Sequence, residues 1–121
     1  MEWRFTEDRP IWQQLTEQLT VRILKGVYPS GSRLPTVREL AAQAGVNPNT
    51  MQRALVQLEA DGLAVGSRTA GRTVTEDEAV IQAARRERAR DAVALCLQIL
   101  EELGYTKSDA LAFVKEELRD E

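Results

Sequence analysis

Gly45-Val46-Asn47-Pro48-Asn49-Thr50-Met51-Gln52-Arg53-Ala54-Leu55 decides how the chain folds, because a helix stop and a helix start follow each other within it. Gly45 can take the left-handed backbone conformation that ends a helix. Asn47 then offers a side-chain oxygen to free N–H groups, and Pro48 stands at the first helical position, where its missing N–H costs nothing. Met51, Ala54, Leu55 and Leu58 recur at helical spacing and predict a buried stripe, which leaves Asn49, Thr50, Gln52, Arg53, Val56 and Gln57 on or beside the outward face. Gly62 ends this helix. Upstream, Thr36 and Glu39 form a capping-box pair at the start of a short helix whose Val37, Leu40, Ala41 and Ala44 face inward. Two helices joined by a tight turn result.

Working outward, Pro10 to Gly26 predicts a preceding helix, with Ile11, Leu15, Leu19 and Ile23 at fourfold spacing and Trp12, Val21 and Leu24 broadening the stripe. The Pro-, Gly- and Ser-containing segment 27–35 reads as a loop. After Gly62, Leu63-Ala64-Val65 and Thr73-Val74-Thr75 predict two short strands, joined by a flexible tip, residues 66–72, that carries Arg68 and Arg72. Three helices and a hairpin in this order are those of a winged helix-turn-helix. The expected fold class is mainly α with a small β-hairpin: a winged helix-turn-helix domain over residues 1–75, then a two-helix dimerisation tail over residues 76–121.

In that tail, Glu76 to about Leu103 runs without Pro or Gly, and Thr106 can cap a last helix with Ala110, Leu111, Val114 and Leu118 in one stripe. Arg85, Arg86, Arg88 and Arg90 read as a solvated face with pairs such as Glu87 with Arg90. Residues 92–100 are apolar nearly all round, more than one neighbouring helix can cover. Val93, Leu95, Leu97, Ile99, Leu100, Leu111, Phe113 and Val114 are therefore the expected homodimer interface, with Cys96 packed in the core or at that interface; folding back on the first helix is the alternative.

Composition removes other classes of function. The 121 residues include no His and one Cys, so a His-dependent catalytic centre, a thiolate metal cage and an internal disulfide are excluded. No nucleophile paired with a base, no paired carboxylates and no phosphate-binding Gly loop are evident; no enzyme activity and no cofactor are expected. No apolar run reaches the roughly 20 residues that a membrane helix needs, and Met1-Glu2-Trp3-Arg4 lacks the apolar core of a signal peptide, so the expectation is a reduced, cytoplasmic protein with no membrane partner. The net charge of −3 hides an asymmetry: residues 1–75 hold nine Lys/Arg against seven acids, residues 76–121 seven against twelve. A polyanion would meet the first part and avoid the second.

Leu34-Pro35-Thr36-Val37-Arg38-Glu39-Leu40-Ala41, the quoted stretch from Gly45 to Leu55, and Leu58-Glu59-Ala60-Asp61-Gly62-Leu63 together resemble the N-terminal domain of the GntR family of bacterial transcription regulators. The short tail and the string Val46 to Thr50 look most like the YtrA subfamily, whose tail the resemblance implies to serve dimerisation. The resemblance implies that Arg38 contacts DNA backbone or bases, that Arg33 is the basic residue leading into its helix, and that Asn47, Asn49 and Thr50 hold phosphate and reach base edges. Pro48 and Gln52 stand where other branches often have arginine. Gln52 is suited to adenine N6 and N7, and the adjacent Arg53 to guanine or a phosphate. Where the family often has Gly-x-Gly followed by Thr-Phe-Val, this chain has Thr69-Ala70-Gly71-Arg72-Thr73-Val74, and Arg68 and Arg72 remain candidates for a narrow minor groove or phosphates. The expected partners are double-stranded operator DNA with an inverted repeat and a second copy of the chain, the activity being repression. A winged-helix module that binds protein instead of DNA is the alternative. Trp3, Trp12 and Tyr28 are compatible with an unidentified small-molecule effector and equally with packing around the first helix.

Overall fold

In a computed structural model that describes residues 1–69 and 71–119, the order of elements is α1 (Ile11–Leu24), α2 (Val37–Ala44), α3 (Pro48–Ala60), β1 (Ala64–Ser67), β2 (Gly71–Val74), α4 (Glu78–Glu102) and α5 (Lys107–Leu118). The chain divides into two compact units, Met1–Ala83 and Ala84–Glu121. Among the described residues no helix is long and apolar enough to cross a membrane.

The centre of the first unit is apolar: Leu15, Leu19, Leu40, Met51, Leu55, Leu58, Leu63 and Val74 are fully buried. Helix α3 packs against α1, α2 and β1, so its Met51, Ala54, Leu55 and Leu58 stripe is covered along its whole length. Val37 and Ala44 of α2 are only half-buried beside the buried Leu40 and Ala41. The helix ends follow the local chemistry. Thr36 Oγ1 accepts from the Glu39 N–H, and its hydroxyl donates to Glu39 Oε1 at 3.1 Å, so the carboxylate meets the cap's side chain where a capping box would take it to the cap's N–H. Gly45 takes φ +68° and Val46 N–H donates to Ala41 O, which closes α2 and turns the chain into α3.

On α1 the structure buries more than the leucine stripe. Gln14, Thr16, Thr20 and Arg22 are also inside, and each is satisfied. Thr16 and Thr20 donate back to carbonyls one turn earlier. Gln14 and Arg22 instead hold the N-terminal segment against α1: Gln14 Nε2 donates to Thr6 O and Arg9 O, and Arg22 Nη2 donates to Met1 O while its guanidinium lies 3.6 Å from the Trp3 ring centroid. Burial pushes the half-buried Tyr28 phenol above its ordinary value, with Arg22 opposing.

The hairpin is antiparallel and pairs Ala64 with Val74, Val65 with Thr73, Gly66 with Arg72 and Ser67 with Gly71. The ladder therefore runs further toward the tip than the sequence implies, and Arg72 belongs to β2, not to the connecting turn. The segment 27–35 is likewise not a plain loop. Its residues 31–34 lie along the other edge of β2, where Gly31 and Leu34 N–H donate to Val74 O and Arg72 O, Val74 N–H donates to Ser32 O, and Arg33 bridges Thr73. β2 is thus paired along both edges.

In the second unit Gly104 (φ +98°) ends the turn after α4, and Thr106 Oγ1 accepts from Asp109 N–H to start α5. Tyr105 and Phe113 pack with ring centroids 5.5 Å apart and their planes tilted by 46°. Of the predicted α5 stripe only Ala110 is buried; Leu111, Val114 and Leu118 stay exposed because α4 alone covers too little surface. Among the described residues no ion pair joins Glu87 to Arg90 on α4; the side chains remain in solvent.

Candidate nucleic-acid interface

Every exposed polar residue at the start of α3 stands on a helix whose opposite face is locked into the core. Asn47 Oδ1 accepts from Asn49 N–H at 2.7 Å, Pro48 occupies the first turn, and Asn49 and Gln52 face solvent with Thr50 half-buried beside them. The start of α3 carries the positive end of the helix dipole, and no acid lies in the first turn of α3 to oppose an anion. Arg38, in the first turn of α2, is exposed.

Arg53 is exposed but oriented. Its guanidinium carbon lies 4.2 Å from the Trp12 ring centroid, so one face of the cation is taken by α1 and its N–H edges stay outward. Trp3 and Trp12 thus each have a ring face covered by an arginine, Arg22 and Arg53 respectively.

The hairpin brings further cations to the same unit. Arg68 is exposed at the turn. Arg33, which the sequence places at the entry to α2, lies beside that turn: a Cβ at Gly71 would stand 3.6 Å from Arg33 Nε, and Gly71 has φ +68°. Of the predicted tip, Ala70 lies outside the described residues. A cleft of about 360 Å³ runs between hairpin and helices, lined by Arg33, Thr36, Glu59, Gly66 and Arg72 among others.

Arg72 is placed differently from the other candidates. Its Nε donates to Glu59 Oε1 in an ion pair, its Nη1 donates to Gln52 Oε1 at 3.4 Å, and its side chain is only 19% exposed. Glu59 is the residue that sequence reasoning missed. A signal for the contact exists: alternation along a strand puts Arg72 on the same side as the buried Val74, toward α3, and Glu59 lies one turn beyond Leu55 on that helix. The structure thus gathers Asn47, Asn49, Thr50, Gln52, Arg53 and Arg72 on or against α3, and sets Arg33 beside the hairpin turn that carries Arg68.

The arrangement can hold a polyanion: an exposed helix start, flanking guanidinium groups and a basic hairpin turn are the elements with which winged helices grip phosphates and reach base edges. Comparison with known proteins agrees. Residues 12–74 match the model of bacterial regulatory proteins of the gntR family. The chain is 30% identical over 115 residues, 95% of each protein, to the HTH-type transcriptional regulator YhcF of Bacillus subtilis, and 38% identical over 68 residues, 56% of this chain and 52% of the relative, to the HTH-type transcriptional repressor YtrA of the same organism. A GntR family transcriptional regulator from Listeria monocytogenes superimposes with a TM-score of 0.83 at 32% identity, covering 93% of this chain and 98% of that one. Motif, hairpin topology and full-length similarity lead to one conclusion: the chain belongs to the GntR family of transcriptional regulators and carries its winged-helix DNA-binding domain.

Proposed function

We propose that this regulator is a repressor that binds an inverted-repeat operator as a homodimer, with residues 1–75 reading DNA and residues 76–121 joining the two copies. The observation that carries the first half is the exposed row Asn49, Gln52 and Arg53 on a helix whose back is fully buried, flanked by Arg38 and Arg68. Phosphate neutralisation by the arginines supplies affinity that falls with salt, and the α3 side chains supply preference among sequences. Asn47, already engaged as a cap, contributes through the helix start it builds.

The second half is supported by apolar surface without cover. Val93 and Leu95 are each 58% exposed, and Ile99, Leu111, Phe113 and Val114 are exposed as well, while Leu97 and Leu100 are half-buried. A groove of about 420 Å³ follows one side of α4 along Arg86, Ala89, Arg90, Val93, Ala94 and Leu97. Covering four or five such side chains at about 1.5 to 3 kcal/mol each yields roughly 6 to 15 kcal/mol before the entropy of association, enough for a stable dimer. Cys96, exposed in the single chain, falls within this surface. Repression is the role named for YtrA, to which this chain is similar over 68 residues. An effector that tunes the affinity belongs to this reading as an optional partner; Trp3 and Trp12, with their rings under Arg22 and Arg53, act in packing.

Selection of bound fragments from random duplexes, together with sedimentation of the protein alone, tests the whole reading. The expected outcome is a dimer and a palindromic consensus whose half-sites are centred about one helical turn apart. A stable monomer that retains no duplex even in dilute salt overturns it.

A further inference from the structure

Among the described residues, Arg72 is the basic candidate whose guanidinium is paired with a carboxylate of the protein itself. Three observations define how. Glu59 Oε1 accepts from Arg72 Nε, and the pair is mostly withdrawn from solvent, the side chains being 19% and 35% exposed. Gly66, directly across the ladder from Arg72, leaves room for this: a Cβ there would stand 3.3 Å from Glu59 Oε2, so the carboxylate lies close against the hairpin and a side chain at position 66 would push it by a few tenths of an ångström. The third observation is the donation of Arg72 Nη1 to Gln52 Oε1 at 3.4 Å.

An arginine has donors and no acceptor, so it can meet a carboxamide only through its oxygen. Arg72 therefore decides which way the Gln52 amide faces, the oxygen toward the hairpin and the nitrogen away from it. The base of the arginine is in turn fixed, because β2 is paired on both edges and the Arg72 carbonyl accepts from Leu34 N–H at 2.9 Å. The amide oxygen of the exposed Gln52 side chain is thereby directed toward the hairpin before any duplex arrives.

We propose that Arg72, clamped by Glu59, is a positioning residue that sets the base preference of Gln52 by fixing its amide, and that it does not act as a phosphate contact. The inference rests on the reading of α3 as the DNA-recognition helix. It separates two roles that the charge of Arg72 alone would merge. A phosphate contact contributes to binding of every sequence and to the salt dependence; a positioning residue contributes to discrimination at one base pair per half-site and leaves the salt dependence alone.

The experiment measures, for the full chain and its variants Gln52→Ala, Arg72→Ala, Glu59→Gln and the Gln52→Ala/Arg72→Ala pair, the relative affinities for operator duplexes carrying each base at every half-site position, and the slope of log affinity against log salt. Gln52→Ala identifies the position that Gln52 reads. Arg72→Ala is expected to reduce discrimination at that same position by roughly fivefold or more, to leave the other positions and the salt slope unchanged, and to add nothing in the Gln52→Ala background. Glu59→Gln keeps the shape of the clamp and removes its charge, and is expected to loosen the same position while retaining binding. A fall of about one in the salt slope with unchanged base preference for Arg72→Ala overturns the proposal, as does a uniform loss of affinity at all positions in Arg72→Ala and Glu59→Gln alike, or a Gln52→Ala variant with unaltered preference. Absence of any duplex binding by the unmodified chain overturns the DNA-recognition reading itself, which is a different result from binding with the wrong pattern of preference.

Discussion

The guanidinium of Arg53 lies over the Trp12 ring, 4.2 Å from its centroid, so an exposed side chain of α3 is held in place by the flank of α1. Trp12→Leu keeps an apolar residue at this half-buried position and removes the aromatic face. The cation–π contact at such a site is worth about 1 kcal/mol, and urea denaturation is expected to show a loss of that order or somewhat more from reduced packing. Fluctuations of the freed Arg53 are expected to lower operator affinity several-fold. Unchanged affinity with the stability loss alone would remove Arg53 from the base-reading set.

Arg38 tests the electrostatic part. Arg38→Ala is expected to weaken every duplex by a similar factor and to reduce the salt slope by about one, measured by titration of operator and random DNA at several salt concentrations. An effect confined to the operator would make Arg38 a base contact.

Helix α2 is bounded by two local devices, one at each end. Thr36→Ala removes the oxygen that accepts from Glu39 N–H and is expected to cost about 1 kcal/mol. Gly45→Ala meets no neighbouring atom within 4 Å, so its expected cost of about 1 to 2 kcal/mol is the strain of φ +68° alone. Chemical denaturation of the two variants separates capping from backbone strain, and a neutral Gly45→Ala would contradict the left-handed assignment.

The tail is tested by Leu111→Asp, a charge placed on a residue that is 56% exposed in the single chain and covered in the proposed dimer. The folded monomer is expected to tolerate it. Sedimentation is expected to show dissociation, and affinity for a two-half-site operator to fall roughly a hundredfold or more as the second half-site ceases to be held near the first. A dimer that survives would move the interface elsewhere.

Legibility followed the range of the interactions. The helix ends around the α2–α3 turn were readable because Thr36, Gly45, Asn47 and Pro48 act on backbone groups within a few residues of themselves. The fold class followed from them. The strand bounds were displaced toward Leu63 and Thr75, since a ladder is defined by its partner and not by the residues of one strand. The strand-like course of residues 31–34 was invisible for the same reason: their hydrogen bonds go to β2, some 40 residues later. The buried Gln14 and Arg22 look like surface residues of an amphipathic helix until the N-terminal segment is laid over them.

The order of residues by itself determined the helix–turn–helix and hairpin, the lack of His and of a second Cys, the cationic first part and the surplus of apolar side chains in the tail, because periodicity, capping and composition are properties of neighbours along the chain. The tertiary structure alone decided that Arg72 faces Glu59 and Gln52, that Arg53 rests on Trp12 and that Arg33 lies beside Gly71. Each of these contacts joins elements distant in sequence, and the partner of a charged side chain is set by which groups the packed core brings within reach.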